Sequence, residues 1–264
     1  MVQAMRRCLF SLFLTGGILV GNGQGLKSEK YSYIDGALVR GDSTHPALSL
    51  VFAGDQFGDG ANHIRKILKK EEVLASFFFT GNFYSNPKFT RTIKKLYSDG
   101  HYLGAHSNKH LLYCDWTQRD SLLVSQEEFK QDLLANYGKM KAFGIGKENA
   151  RYFLPPYEWY NDSIAKWTGN MGLILVNMTH GTLSHADYTT PEMKNYRSST
   201  EIIQNIVQYE EQNSTGLNGF LLLMHIGTDT SRTDKLYHYL EPLIKHLKKR
   251  GYQLQRIERL LDGN

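Results

Sequence analysis

Short apolar runs alternate with stretches of helical period over most of this chain. Residues 47–52 (ALSLVF) are aliphatic and aromatic and are bounded by Pro46 and Gly54, the pattern of a buried strand. After a glycine-rich loop over 54–60, residues 63–72 place Ile64, Ile67 and Leu68 on one helical face, and residues 74–79 (LASFFF) read as a second strand. Strand, helix and strand in so short a span predict a parallel β-α-β unit.

The alternation continues to the end. A helix over 89–98 stops at Asp99 and Gly100, and 101–104 form a short strand. Ser125, with Glu128 three residues on, is a capping pattern that opens a helix running to about Phe143. Further strands are expected at 152–154, 173–176 and 219–224, with helices near 164–168 and 199–212 and a last helix over 234–250. This order predicts a single α/β domain, a distorted or incomplete (β/α) barrel of about seven parallel strands. The carboxyl ends of parallel strands line the site in such folds, and polar residues fall there: Asp55, His106, residues 155–158, Asp187 and His225.

With 264 residues, 41% of them hydrophobic, the chain is long enough for one core of this kind. Its first 25 residues stand apart: Arg6 and Arg7, an apolar run over 8–20, then small and polar residues. That is the architecture of an export signal, too short and too glycine-interrupted for a comfortable membrane span. The expected domain is 26–264, in a periplasmic or extracellular protein with no integral membrane segment in its mature chain. Cys8 opens the apolar run instead of following it, which disfavours a lipid anchor, and Cys114 is then the only cysteine left, so no intrachain disulfide is expected. The formal charge of +5 includes Arg6 and Arg7 and is +3 without them, too mild to point to nucleic acid.

His106 and His110 stand four residues apart in GAHSNKH. On one helical turn that offset brings both imidazoles to one side, and neutral imidazole is the commonest side-chain ligand of zinc and related ions. The same spacing also arises as two solvated histidines on a surface helix.

Taken with their neighbours, these residues resemble the polysaccharide deacetylases of the NodB-homology type, carbohydrate esterase family four, over nearly the whole mature chain. Residues 100–104 (GHYLG) and 106–110 (HSNKH) are similar to that family's second motif, and 67–81, from ILKK through ASFFFTG, to its helix and second strand. Leu154, Pro155, Pro156 and Tyr157 stand where the family has Arg-Pro-Pro-Tyr, and 221–225 (LLLMH) resembles the apolar strand that ends in its catalytic histidine. The first motif departs: the family's Thr-Phe-Asp-Asp-Gly meets Val51, Phe52, Ala53, Gly54 and Asp55 here, and Leu154 replaces the arginine that orients the family's base. Both losses belong together, because a buried guanidinium without its carboxylate is costly.

The resemblance implies a secreted, metal-dependent hydrolase that removes N- or O-acetyl groups from a glycan. Asp55, His106 and His110 are the expected ligands of a divalent metal, Zn2+ first, with a one-residue bulge at Gly54 bringing Asp55 into place. His225 is the expected general acid, the Tyr157 backbone amide the oxyanion donor, and Glu158 the replacement base, with Asp59 in reserve. Asp187 stands near the place of the family's histidine-pairing aspartate, and Trp116, Trp159, Tyr160 and Tyr188 are candidate sugar platforms. The alternative is a non-catalytic relative that keeps the pocket and binds carbohydrate without cutting it.

Overall fold

The structure is a computed structural model that describes residues 30–262; the export segment expected over 1–25 lies outside the described residues. In chain order the strands are β1 (Ser32–Ile34), β2 (Ala37–Arg40), β3 (Ala47–Gly54), β4 (Ser76–Phe79), β5 (Tyr102–Ala105), β6 (Tyr152–Phe153), β7 (Ile174–Leu175), β8 (Leu221–His225) and β9 (Gln253–Leu254). The helices are α1 (Ala61–Lys70), α2 (Gly81–Ser85), α3 (Thr90–Ser98), α4 (Gln126–Met140), α5 (Asp162–Asn170), α6 (Ser199–Gln212), α7 (Leu240–Lys249) and α8 (Ile257–Asp262).

β3 is the spine. It pairs in parallel with β4 on one side and β8 on the other, and with β9 at its start. The full order is β7-β6-β5-β4-β3-β8, every pair parallel. Six of β3's eight residues other than Ala47 and Ser49 are apolar or glycine and buried, as a strand covered on both faces requires. Ser49 is buried too; its hydroxyl lies 3.3 Å from that of Ser76, which accepts the amide of Ile257 at 2.8 Å. The sheet packs through aromatic rings: Phe52 stacks on Phe77 at 5.1 Å, and Phe79, Phe83 and Phe89 stack in a column at 4.1 and 4.0 Å.

The sheet curls into an incomplete barrel, as expected. Between its edges lies the β1–β2 antiparallel hairpin, a feature absent from the expectation, which left this stretch as a polar lead-in. Leu38 bridges Val176 beyond β7, and Arg40 bridges Phe220 before β8. Thr179 ties the two edges: its amide donates to Leu221 O at 3.1 Å, its hydroxyl donates to Val39 O at 2.5 Å, and that hydroxyl accepts the Leu221 amide at 2.9 Å. The expected last helix is also corrected. A 3-10 turn at Leu236–Tyr239 precedes α7, and β9 and α8 follow it, their six-residue and shorter lengths being too brief to show a period.

A second correction concerns Gly54. No bulge forms there: β3 runs in unbroken register, Gly54 opposite Phe79, and Gly54 is not among the glycines with positive φ. The glycine is required by close approach instead, since a Cβ would meet Ile226 Cγ2 at 2.8 Å and Phe79 Cδ1 at 3.0 Å. Gly54→Ala is therefore expected to lower stability by about 1–3 kcal/mol through overpacking. Urea unfolding checks this, and an unchanged midpoint would show that the strand end has room to spare.

Candidate active site

The chemistry-bearing residues gather at the carboxyl ends of β3, β4, β5, β6 and β8. His106 follows β5 directly. Its amide is shared by Phe79 O at 3.1 Å and Asn136 Oδ1 at 3.0 Å. Its Nδ1 donates to Leu154 O at 2.9 Å, which fixes the tautomer and leaves Nε2 with its lone pair. Burial and the neighbouring His110 hold His106 well below the ordinary imidazole range, so it is neutral at pH 7. The His110 ring lies 5.0 Å from that of His106; its own affinity for a proton is lowered by burial, with Asp55 opposing.

These two rings meet without a helical turn, contrary to expectation. Residues 106–110 form an irregular loop in which Ser107 and His110 have left-handed φ of 71° and 57°. The cause sits on α4, where the buried Asp132 carboxylate accepts three bonds from the loop. Ser107 Oγ donates at 2.6 Å, Asn108 N at 2.7 Å and Lys109 N at 3.1 Å. One helical turn later Asn136 holds His106, so the pair acts from one face of α4. Across the loop, the amides of Gly81 and Asn82 donate to Ser107 O and Asn108 O at 3.0 and 3.2 Å. Gly81 is needed for that approach, because a Cβ there would fall 2.0 Å from Asn108 Oδ1.

Asp55 follows β3 and is partly exposed. Thr80, the N-cap of α2, donates its hydroxyl to Asp55 Oδ1 at 2.7 Å, and Asn82 Nδ2 approaches the same oxygen at 3.4 Å. Among the described residues no group of three or more His, Cys, Asp or Glu side chains is arranged as a finished metal cluster. The expected trio is thus assembled in part: the imidazoles lie together, and the carboxylate that acts on His110 is turned to Thr80. The donor set of two neutral nitrogens and one carboxylate is of the kind that zinc takes.

The side formed by His225, Asp187 and Glu158 is more complete. His225 ends β8, opposite Ala53 of β3. Its Nδ1 donates to Asp187 Oδ1 at 2.6 Å and its amide to Asp187 Oδ2 at 2.9 Å, so the looser of the two carboxylate matches does reach its histidine. Burial alone would lower the His225 pKa, but Asp187 and then Glu158 outweigh it and raise it. Glu158 lies in a 3-10 turn after β6, and burial pushes its carboxyl up to about 7, with His225 opposing the rise and Asp187 adding to it. Asp59, the reserve base, is committed elsewhere: it accepts from Thr228 N at 2.9 Å and Tyr237 OH at 3.0 Å and pairs with Lys235 at 3.1 Å.

Aromatic side chains flank both sides. The Tyr157 ring packs 4.4 Å from His110 and 5.5 Å from Trp116, and Tyr188 lies 5.8 Å from His225. Trp116, Tyr157 and Tyr188 are 54%, 44% and 42% exposed, so they line the approach. Tyr160 does not: it is fully buried with its hydroxyl donated to Ile34 O at 3.1 Å, a core residue and not a platform.

Comparison with known proteins points one way. The family described as polysaccharide deacetylase matches residues 42–176, just over half of the chain. The peptidoglycan-N-acetylmuramic acid deacetylase PdaA of Bacillus subtilis is 23% identical over 234 residues, covering 88% of this chain and 76% of the relative. The structure of PdaA, a family 4 carbohydrate esterase, superposes with a TM-score of 0.63 at 20% identity, over 85% of this chain and 84% of that one. A family 4 pseudoenzyme from Bacillus anthracis superposes with a TM-score of 0.67 at 20% identity, over 87% and 70% of the two chains.

Since Asp132 supports the 106–110 loop with three charge-assisted bonds, Asp132→Ala is expected to destabilise the protein by roughly 3 kcal/mol or more, and Asp132→Asn by less. Chemical denaturation of both variants tests this; equal, negligible losses would mean that the loop holds its shape unaided.

Proposed function

Because the chain belongs to the polysaccharide deacetylase family, we propose that it is a secreted, metal-dependent hydrolase that removes N- or O-acetyl groups from a glycan, with its base relocated to Glu158. The observation that carries this reading is the grouping of Glu158, a carboxyl poised near 7, with an Asp187-supported His225 and the His106–His110 pair. A divalent cation, Zn2+ in the first instance, would be held by His106, His110 and Asp55, and would supply Lewis-acid activation of water and of the acetyl carbonyl.

The chain's own residues do the rest. Glu158 as carboxylate accepts the proton of the attacking water. The Tyr157 amide, set by Pro155 and Pro156, donates to the oxyanion of the tetrahedral species. His225 delivers a proton to the departing sugar amine or hydroxyl, and Asp187 keeps it protonated for that purpose. Trp116, Tyr157 and Tyr188 offer ring faces to the sugar. Residues 1–25 would direct export to the periplasm or beyond.

A second reading is favoured by one feature: the end of β3 carries Ala53 and Gly54, with no carboxylate, and Asp55 is drawn to Thr80. On that reading the protein binds an acetylated glycan without cleaving it. Metal analysis and acetate release from acetylated xylan, chitooligosaccharide and peptidoglycan separate the two. His106→Ala is expected to lose both bound metal and acetate release, and Glu158→Gln to slow release by about 10²–10⁴-fold while keeping the metal. Glycan binding without any acetate release from the unaltered protein would favour the binding reading.

The pH dependence has a definite sign. Acetate release should rise as Glu158 ionises near pH 7, and fall at higher pH as His225 gives up its proton. Removing the charge that raises His225, in Asp187→Asn, should move the falling limb to lower pH. A falling limb that stays in place would assign it to some other group.

A further inference from the structure

The turn that carries Glu158 is held from outside by a guanidinium on one side and a side-chain amide on the other. Tyr157 and Glu158 are successive non-glycine residues with left-handed φ of 59° and 53°, a conformation that persists only where the surroundings over-determine it. Arg119, on the loop that leads from the His106–His110 segment to α4, grips the two residues that follow them, Trp159 and Tyr160. Its Nε donates to Tyr160 O at 2.6 Å, and its Nη1 meets Asp35 Oδ2 at 2.8 Å. Its guanidinium plane sits 4.3 Å from the Trp159 ring and 5.2 Å from that of Tyr160.

The contacts run in both directions. Asn161 Nδ2 donates to Arg119 O at 3.0 Å, and Trp159 Nε1 donates to Asp115 O at 3.1 Å. Asp115 in turn folds its own loop by accepting Thr117 N and Gln118 N, each at 2.8 Å. On the far side Asn177 Nδ2 holds Glu158 O at 3.0 Å. The ion pair with Asp35 is partly exposed, at 34% and 38% for the two side chains, and contributes little by itself. The hold comes from one planar group that donates to a carbonyl and stacks on an indole together, which an ammonium cannot reproduce.

We propose that Arg119 is a positioning residue for Glu158, fixing the left-handed turn so that the carboxylate stays beside His225. The proposal rests on Glu158 being the proton acceptor. It is tested in the full chain with Arg119→Ala, Arg119→Lys, Glu158→Gln and the Arg119→Ala/Glu158→Gln double variant. Two readouts are needed: hydrogen exchange of the 157–160 amides, and kcat and KM for acetate release from acetylated chitooligosaccharide.

Arg119→Ala and Arg119→Lys should both speed exchange over 157–160. They should lower kcat by about 10–100-fold, with KM changed by less than about twofold. In the Glu158→Gln background, Arg119→Ala should change kcat by less than about threefold, because the two residues act as one unit. An equal proportional loss in both backgrounds, or exchange that stays as in the unaltered chain, overturns the proposal. A fully active Glu158→Gln overturns the assignment of the base, and this proposal with it; it is told apart because Arg119→Ala then still loosens the turn.

Discussion

A buried carboxylate on α4 sets the backbone on which the site depends. Left-handed φ at Ser107 and His110 is unfavourable for residues with a Cβ, and the loop adopts it because Asp132 accepts three donors, two of them on the buried Ser107 and Asn108. The same helix face reaches His106 through Asn136, and His106 reaches the β6 loop through Leu154 O. A chain of hydrogen bonds thus runs from α4 through His106 to Leu154, just ahead of the turn that bears Tyr157 and Glu158. The site is therefore shaped by side chains distant in sequence from the groups that would do chemistry.

Much of this architecture was legible from residue order. The parallel units emerged because β3 and β4 are continuous apolar runs and α1 has a clean apolar face, and the helix at Ser125 was marked by a capping box that does form. His225 does end its apolar strand, Glu158 falls in the turn that follows β6, and Asp187 meets His225. What could not be read were features built from pairing across the fold. The β1–β2 hairpin and β9 are too short to carry a period, and Asp132 and Asn136 look like ordinary polar residues of an amphipathic helix until the loop they hold is seen. Gly54 was misread for a related reason: a glycine needed for steric room and a glycine needed for unusual φ are the same letter.

The end of β3 and the turn after β6 differ in what they carry. Ala53 and Gly54 leave the strand end without a carboxylate, and Leu154 is buried and apolar where it faces the core. A carboxyl group appears instead three strands away, at Glu158 in the turn after β6, where burial raises its pKa to about 7. Burial raises the Glu158 carboxyl, while Asp187 and then Glu158 raise His225 against its own burial.

The seam of the barrel has a mechanical implication. β7 and β8 do not pair with each other; they are joined by single bridges through Leu38, Arg40 and the Thr179 hydroxyl. Parting the hairpin from this seam would leave two open strand borders whose amides and carbonyls invite another chain to add on, a route to fibrous or sticky association in a molecule otherwise wrapped by helices. Keeping the hairpin seated is in that sense a safeguard against self-polymerisation as much as a contribution to the fold.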